Sequence, residues 1–296
     1  MNYKTSCHVT PPFYLKNPIL QTVLSSMKIR NRGVTPFDLV SREVLVDAGD
    51  GVRLTGFISA HDTSRSAKEA KGLIILLHGW EGSESSAYMA ASGRFFYQLG
   101  YDIFRLNLRD HGNSHHLNRG PFLGTLIDEA YGAVKRIIAY YGKGGRVFII
   151  GFSMGANFAL RIAKLAGDEI VSGVISGLPR RIIAVNPPLN PLTATQNIDK
   201  YHIIRKYFLK KWKKSLIKKQ QAFPDTYNFS RYLDTDNCID LTRHLVEEYS
   251  EYDSMEEYFS RYTRETDFFK SIKMPGAGMT AADEPVINIH EFVEIK

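Results

Sequence analysis

The sequence predicts an α/β protein, in which a mostly parallel sheet carries helices on both faces and a helical lid is inserted late in the chain. Two observations predict this fold. Apolar runs of strand character alternate with amphipathic helical stretches up to residue 185, and such repetition is typical of a parallel sheet. A long helical, aromatic-rich stretch then follows before the pattern resumes near residue 274. The 296 residues can bury a sizeable core without disulfides.

The strands and helices are predicted in the following order. An Asp50-Gly51 turn joins two strands, Glu43–Val46 and Val52–Ile58, as a hairpin. The next strands, of which the first is apolar throughout and suited to burial on both faces, are Leu73–Leu77, Tyr101–Leu106, Arg146–Ile150 and Arg181–Val185. The intervening helices, two of them ended by Gly100 and Gly167, are Ser86–Leu99, Leu126–Tyr141 and Ser153–Ala166. A last strand and loop occupy Met274–Ala282.

We divide the chain into a core at residues 1–188 (with an N-terminal extension at 1–41), a helical lid at 189–262 and a truncated continuation of the core at 263–296. The start has no apolar core of the signal-peptide kind, and no aliphatic run approaches the roughly 20 residues that span a bilayer. We therefore expect a cytoplasmic protein. Cys7 and Cys238 have no metal or redox spacing and are predicted to be free thiols.

The net charge of +7 comes from one segment. Residues 200–219 contain nine Lys and Arg residues and no Asp or Glu, whereas residues 234–257 contain nine Asp and Glu residues and one Arg. Pairing between the two segments is the simplest interpretation, because helices of opposite charge attract each other.

An apolar stripe runs along the basic segment, where Ile204, Phe208, Trp212 and Leu216 recur every four residues. Three interpretations are open. The stripe can cover the active site as a lid helix with solvated lysines. The helix can instead make weak contact with an anionic membrane surface, which would place the protein at the inner face of the membrane. The lysines can also bind nucleic acid, but no recognised motif accompanies them and we expect no nucleic-acid partner.

The strongest chemical signal is the pentapeptide Gly151–Gly155 (GFSMG), which follows a strand and opens a helix. In a nucleophile elbow of this kind the serine occupies a strained strand-to-helix turn, and glycines leave room for the close backbone crossing. Ser153 is the predicted nucleophile. The helix N-terminus and the amide of Met154 would stabilise negative charge beside it.

His78-Gly79-Trp80 follows another strand at the same edge of the sheet. The backbone amide of Trp80 is our candidate for the second oxyanion donor, whereas the imidazole of His78 is interpreted as structural. The loop Arg109–His116 contains three histidines, but no carboxylate or cysteine cluster accompanies them. We interpret it as a hydrogen-bonded loop and predict no metal site.

An acidic pair, Asp283 and Glu284, follows the late strand. An acid at this position, downstream of the serine, matches the order Ser, Asp or Glu, His of a catalytic triad. Asp283 is the commoner residue type for the role, while Glu284 directly precedes a Pro-Val pair. We favour Asp283 and keep Glu284 as the alternative.

These motifs resemble the α/β-hydrolase superfamily, and specifically its YheT-like branch, the AB hydrolase-4 group. The matching pieces are Pro11–Thr22, His78–Ser83, Arg105–Gly112, Gly151–Asn157, Asn186–Pro188 and Thr280–Val286. The resemblance implies a serine hydrolase that acts on carboxylic esters, often with apolar acyl chains, and needs no cofactor. Its substrate would be a small-molecule ester, lipid esters included. One departure is Glu284, which stands where the family has the second Asp of an Asp-Asp-Pro loop.

A triad also needs a histidine base. After the acid loop an α/β-hydrolase requires a helix, a strand and then this histidine, which together take about 25 residues. Thirteen residues follow Asp283. His290 is predicted on the helix after the acid loop, and His111, His115 and His116 follow a different strand, so we expect none of them to serve.

Loss of the base costs a serine triad roughly a millionfold in turnover. We therefore expect an impaired serine esterase, the product of a truncated or frameshifted gene, whose triad acid has no histidine to orient. The alternative is a catalytically dead hydrolase fold retained for binding a ligand or partner.

Overall fold

A seven-stranded sheet lies at the centre of the computed structural model, which describes residues 11–25, 27, 33–62, 69–174 and 176–293. The strands are β1 (Arg42–Gly49), β2 (Val52–Ser59), β3 (Leu73–Leu77), β4 (Asp102–Asn107), β5 (Val147–Phe152), β6 (Arg181–Val185) and β7 (Gly276–Met279). They lie in the order β1-β2-β4-β3-β5-β6-β7. β2 pairs antiparallel with β1 and β4, and the other neighbours are parallel. The predicted fold class is confirmed.

Helices cover both faces of the sheet. Those of the core are α1 (Pro18–Ser25), α2 (Pro36–Leu39), α3 (Ala87–Gln98), α4 (Ile127–Tyr141) and α5 (Met154–Val171). β3 is buried at every position, and its side chains alternate between two layers. Ile75 and Leu77 belong to the apolar cluster that α4 and α5 complete, whereas Ile74 and Leu76 pack with side chains of α2 and α3.

Helix α5 continues through Gly167 to Val171, so the prediction that Gly167 ends it is wrong. The glycine allows close packing instead. A Cβ at this position would come within 3.1 Å of the Lys273 backbone nitrogen, and the segment before β7 therefore approaches the helix closely.

Parallel pairing brings the carboxyl ends of the central strands to one edge of the sheet. Leu77 of β3 is in register with Gly151 of β5, and Val185 of β6 with Met279 of β7. The loops that follow these strands meet at this edge, where ligands bind in open α/β sheets.

Five α-helices and a short 3-10 helix (Ser230–Tyr232) lie between β6 and β7, where the sequence predicts an inserted lid. The α-helices are α6 (Pro191–Lys200), α7 (His202–Ala222), α8 (Cys238–Tyr249), α9 (Met255–Ser260) and α10 (Thr266–Ser271). Buried apolar side chains of α6, α7 and α8 form their own cluster, including Ile198, Leu209 and Leu241. We keep 189–262 as our proposal for the lid boundaries.

Within the described ranges, the ion pair of the basic helix α7 is with the core and not with the acids of the acidic segment, although apolar side chains of α7 and α8 pack together. Lys219 is buried, and its Nζ lies 2.9 Å from Asp110 Oδ1 in the loop after β4. The ion pairs of the acidic segment are with arginines, namely Arg243–Asp240, Arg231–Glu248 and Arg261–Glu257. Among the described residues no ion pair joins the two segments, so the expected pairing between them is wrong.

After β7, the described part of the chain contains one short helix, α11 (His290–Val293), and no further strand. No helix in the described ranges is both long and apolar enough to cross a membrane. Cys238 is a buried free thiol. The first ten residues lie outside the described residues. The predictions that Cys7 is a free thiol and that the start has no signal-peptide core fall on this segment.

Candidate active site

Ser153 lies on the turn between β5 and α5, where the GFSMG motif places it. Its φ and ψ are 50° and −120°, a strained combination for a residue with a side chain. The Ser153 N–H donates a 2.8 Å hydrogen bond to the Val185 carbonyl of the neighbouring strand. The serine therefore stands at the N-terminal end of α5, where the helix dipole favours negative charge.

The glycines of the motif permit a close crossing of backbones. A Cβ at Gly155 would come within 2.4 Å of the carbonyl oxygens of Leu77 and His78. One at Gly151 would come within 2.2 Å of the Gly155 carbonyl oxygen. Atoms cannot approach so closely, so the elbow requires glycine at both positions.

The loop after β3 reaches the nucleophile through Gly79. A Cβ at Gly79 would lie 3.2 Å from Ser153 Cβ. The Gly79 N–H donates to the Tyr88 hydroxyl at 2.9 Å and is thereby occupied. The next amide, that of Trp80, stays the predicted oxyanion donor together with that of Met154.

The histidines beside Ser153 make structural hydrogen bonds. His78 is fully buried; its Nδ1 donates to the Gly79 carbonyl at 2.8 Å, and its Nε2 accepts from the Leu108 N–H at 3.1 Å. In His111, Nε2 accepts from the Glu81 N–H at 3.3 Å, and Nδ1 donates to a backbone carbonyl at 2.7 Å. Burial lowers the pKa of His78 well below its usual value and that of His111 to about 4. Both rings are neutral at pH 7.

No hydrogen bond joins the Ser153 hydroxyl to a histidine within the ranges that the structure describes. His115 Nε2 bonds the Ser215 hydroxyl at 2.8 Å, and His290 is exposed on α11. No set of three or more His, Cys, Asp and Glu side chains in the described ranges is arranged to hold a metal ion.

The structure separates the two candidate acids. Glu284 lines a cleft with Ser153, and the Asn186 side-chain amide donates to its Oε2 at 3.0 Å. The Val286 N–H donates to Oε1 at 3.3 Å, and burial raises the pKa of Glu284. Asp283 is exposed and does not line the cleft. This placement favours Glu284 over Asp283, in contrast to the preference based on residue type.

Strained backbone recurs around this edge of the sheet. Among the described residues, six other than glycine have φ between 47° and 57°. Four of the six lie at this edge, each in or at the start of the segment after a different strand: Glu81 after β3, Asp110 after β4, Ser153 after β5 and Asn186 after β6. Left-handed backbone costs such residues of the order of 1–3 kcal/mol each and is concentrated at functional sites. The strain marks the same edge as the motifs do.

Two cavities meet at Ser153. The first has a volume of 1190 Å³ with its mouth included and lies beneath the lid; Phe208, Trp212 and Leu216 of α7 line it. Most of its remaining walls are apolar or aromatic, so it suits an apolar group. The second is an open cleft with polar walls, which three lysines of α7 also line. The predicted stripe of α7 thus faces the first cavity.

Two charged residues of the site were assigned no role by the sequence analysis. Lys219 donates to Asp110 Oδ1 and also, at 2.6 Å and 2.9 Å, to the carbonyls of Asn118 and Gly120. A signal was present, because Lys219 follows Leu216 by three residues and so continues the apolar stripe. Burial raises the pKa of Asp110 to about 6 although Lys219 opposes this shift.

Glu81 is the second such residue and lines both cavities. Its side chain keeps some contact with water in the cleft, but protein atoms surround it, and this burial raises the pKa of its carboxyl to about 8. The positive charge of Lys211, whose Nζ donates to the Glu81 backbone carbonyl at 3.0 Å, offsets part of the shift. Glu81 is thus a largely protonated carboxyl at pH 7 that lines the same cavities as Ser153.

We expect the free energy of unfolding to fall as the pH rises from about 6.5 to 8. Because the folded-state pKa of Glu81 lies above its ordinary value of 4.5, the folded protein keeps a proton that the unfolded chain has released. The stabilisation is complete below pH 4.5 and is lost as the pH rises through 8. Its slope is at most about 1.4 kcal/mol per pH unit. Urea unfolding at a series of pH values measures it.

Glu81→Gln should remove this slope, since the amide does not titrate. The matched control is Glu256→Gln, because Glu256 is exposed on α9. It should keep the native slope. The same slope in all three proteins would show that Glu81 titrates normally.

A serine on a strained elbow at the carboxyl edge of a mostly parallel sheet defines an α/β-hydrolase. Residues 68–246 match the family model described as serine aminopeptidase, S33 (Hydrolase_4), and the chain belongs to this family. The family and its fold support a hydrolase function.

Solved structures with the same fold include an esterase of Pyrococcus furiosus, Pf2001, which is 19% identical, with a TM-score of 0.50 and 88% of each chain covered. A second crystal form of that esterase gives 20% identity, a TM-score of 0.48 and coverage of 88% of this chain and 91% of the esterase. An acylaminoacyl peptidase of Pyrococcus horikoshii is 14% identical, with a TM-score of 0.49 over 86% of this chain and 33% of the peptidase. No curated protein matches the chain.

Proposed function

We propose that this chain is a serine hydrolase of carboxylic esters, of the YheT-like branch, that works through an acyl-enzyme on Ser153. The observation that carries the proposal is the position of Ser153 on a strained elbow, where an apolar cavity and a polar cleft meet. This position suits an ester whose acyl chain enters the cavity and whose alcohol leaves through the cleft. The reaction needs no cofactor.

In this mechanism a base takes the proton of the Ser153 hydroxyl as its oxygen attacks the ester carbonyl, and the amides of Trp80 and Met154 hold the tetrahedral oxyanion. Each such donor contributes roughly a hundredfold to a thousandfold to the rate. The C–O bond to the alcohol then breaks, the base returns the proton to the leaving alcohol, and water hydrolyses the acyl-enzyme by the same two steps. The apolar acyl chain lies under Phe208 and Trp212, and the N-terminal end of α5 stabilises the negative charge.

Glu284 is our proposed triad acid, held in the cleft by Asn186. No histidine of the described ranges hydrogen-bonds to Ser153, which supports the proposal that turnover by these 296 residues is impaired.

A catalytically dead hydrolase fold that binds a ligand is the second candidate. One observation favours it: both ring nitrogens of His78 and of His111, which follow β3 and β4 at this edge of the sheet, are committed to backbone hydrogen bonds. We propose a cytoplasmic location for either function. Weak contact of α7 with an anionic membrane surface is the alternative, which the exposed side chains of Ile203, Tyr207 and Ile217 among its lysines support.

We expect p-nitrophenyl decanoate to acylate Ser153 in the presence of imidazole, which supplies the missing base. Without imidazole, hydrolysis should exceed the uncatalysed rate only by about 10³–10⁴-fold, since the oxyanion hole and substrate binding alone provide this much. Intact-protein mass spectrometry detects the decanoyl adduct, and nitrophenol release gives the rate.

The control is Ser153→Ala. It should keep the residual rate, because removing a second triad member costs little once the first is absent, but it should show no adduct and no imidazole response. Lack of a decanoyl adduct in the native chain, with and without imidazole, would favour the binding protein. A fall of about a millionfold in Ser153→Ala would instead reveal a working base and contradict the proposed impairment.

A further inference from the structure

The polar cleft carries positive charge where the alcohol of an ester would lie. Lys211, Lys214 and Lys218 line it. Their spacing of three and four residues places them on one face of α7. Lys206, Lys210 and Lys213 of the same helix line neither cavity. The lysine-rich helix therefore presents half of these six charges to the catalytic cleft.

The acids that line the cleft do little to cancel this charge. They are Glu81, Asp110 and Glu284. Asp110 is already paired with Lys219, which does not line the cleft. Burial raises the pKa of Glu81 to about 8. Glu284, the proposed triad acid, then leaves one negative charge against the three lysines of the cleft. The field in the cleft is therefore dominated by the three lysines.

The walls also offer hydrogen-bond donors of the kind that phosphate oxygens accept. Ser83, Ser85 and Ser86, which carry hydroxyl groups, line the cleft together with the lysines of α7. By contrast, the first cavity has mostly apolar walls. The cleft thus carries three lysines and more polar side chains than the first cavity does.

We propose that the cleft binds the alcohol part of the ester through a phosphate group, so that the preferred substrate is an acyl ester of a phosphorylated alcohol. The acyl chain occupies the apolar cavity, Ser153 reaches the ester carbonyl at the junction, and Lys211, Lys214 and Lys218 hold the phosphate. This inference rests on the proposed function, whose substrate class it specifies.

A binding experiment tests the proposal without relying on turnover. The ligands are 1-O-dodecylglycerol and 1-O-dodecylglycerol 3-phosphate, non-hydrolysable ethers that differ by the phosphate alone, used below their micelle-forming concentrations. Trp80 and Trp212 are the two tryptophans of the chain, and both line the first cavity. Their fluorescence therefore reports binding of the alkyl chain for both ligands.

We expect the phosphorylated ether to bind at least tenfold more tightly at low salt, with the preference shrinking as the salt concentration rises. The triple variant Lys211→Met, Lys214→Met, Lys218→Met should lose this preference and keep its affinity for the neutral ether. The matched control, Lys206→Met, Lys210→Met, Lys213→Met, removes the same charge from the same helix and should keep the preference.

Equal affinity of the native protein for the two ethers would overturn the proposal, as would an equal loss of preference in both triple variants. The double variant Lys214→Met, Lys218→Met leaves the Lys211 contact with Glu81 intact. It should lose part of the preference even if the triple variant folds poorly, and an unchanged preference would contradict the proposal.

Two further arms identify the source of the phosphate. If glycerol 3-phosphate displaces the phosphorylated ether, the natural ligand is a water-soluble phosphoester. If the protein binds vesicles that contain 1-O-dodecylglycerol 3-phosphate more tightly than it binds the monomeric ether, the phosphate belongs to a lipid headgroup. Acylation of Ser153 by the neutral p-nitrophenyl decanoate does not require the lysines. Absence of this acylation would therefore contradict the proposed function, whereas absence of the phosphate preference alone would contradict only the proposed substrate class.

Discussion

Replacement of Lys219 by methionine is expected to destabilise the protein by about 3–5 kcal/mol, because it leaves the Asp110 carboxylate buried without its partner. Lys219 is 2% exposed and Asp110 is 6% exposed. The ammonium group also satisfies the carbonyls of Asn118 and Gly120, which would lose their donor. Urea or thermal unfolding measures the loss.

The double variant Lys219→Met, Asp110→Leu distinguishes the cost of leaving one buried charge unpaired from the contribution of the ion pair itself. Removing both charges should recover much of the stability, since apolar replacements of a buried pair are often neutral or better. Lys214→Met is the matched control, because Lys214 is exposed on the same helix. If Lys219→Met were as stable as this control, the pair would not tie the lid to the core.

Gly155→Ala is expected to cost about 3 kcal/mol or more, at the upper end of the range for overpacking. Its Cβ would lie 2.4 Å from the carbonyl oxygens of Leu77 and His78. These are backbone atoms of β3 and the loop after it, so they cannot move aside without disturbing the sheet. The variant should also lose acylation of Ser153 by p-nitrophenyl decanoate with imidazole.

Gly278→Ala is the control for this prediction. Gly278 lies on β7 of the same sheet, and a Cβ there would meet nothing within 4 Å. Its unfolding and its Ser153 acylation should match those of the native protein. A Gly155→Ala variant with native stability would show that the elbow relaxes without strain.

The fold and the strained turn at Ser153 could be predicted because their signals are local. The strand β3 is a continuous apolar run, and Ser153 lies within five residues whose glycines reveal the elbow. The end of α5 was missed because a glycine that ends a helix and a glycine that permits close packing look alike in a sequence. Lys273, the contact that distinguishes them, is far away along the chain.

The acid and the lid contact depend on residues distant in the chain. Asn186, which binds the Glu284 carboxylate, is separated from it by 98 positions. The features within the loop, residue type and the Pro-Val pair after Glu284, favour different acids and do not decide between them. Lys219 meets Asp110 across 109 positions. Charge counting over a segment treats every lysine as solvated, so it hides the one that is buried.

The left-handed residues at the carboxyl edge of the sheet have a consequence for heat resistance. Glu81, Asp110, Ser153 and Asn186 each hold the chain in a conformation that glycine would adopt more comfortably. Glycine at these positions would relax the backbone but would also delete the side chains that shape the cleft. At these four positions a substitution that raises thermal stability would therefore remove a side chain of the cleft. Stabilising substitutions are best sought elsewhere in the chain.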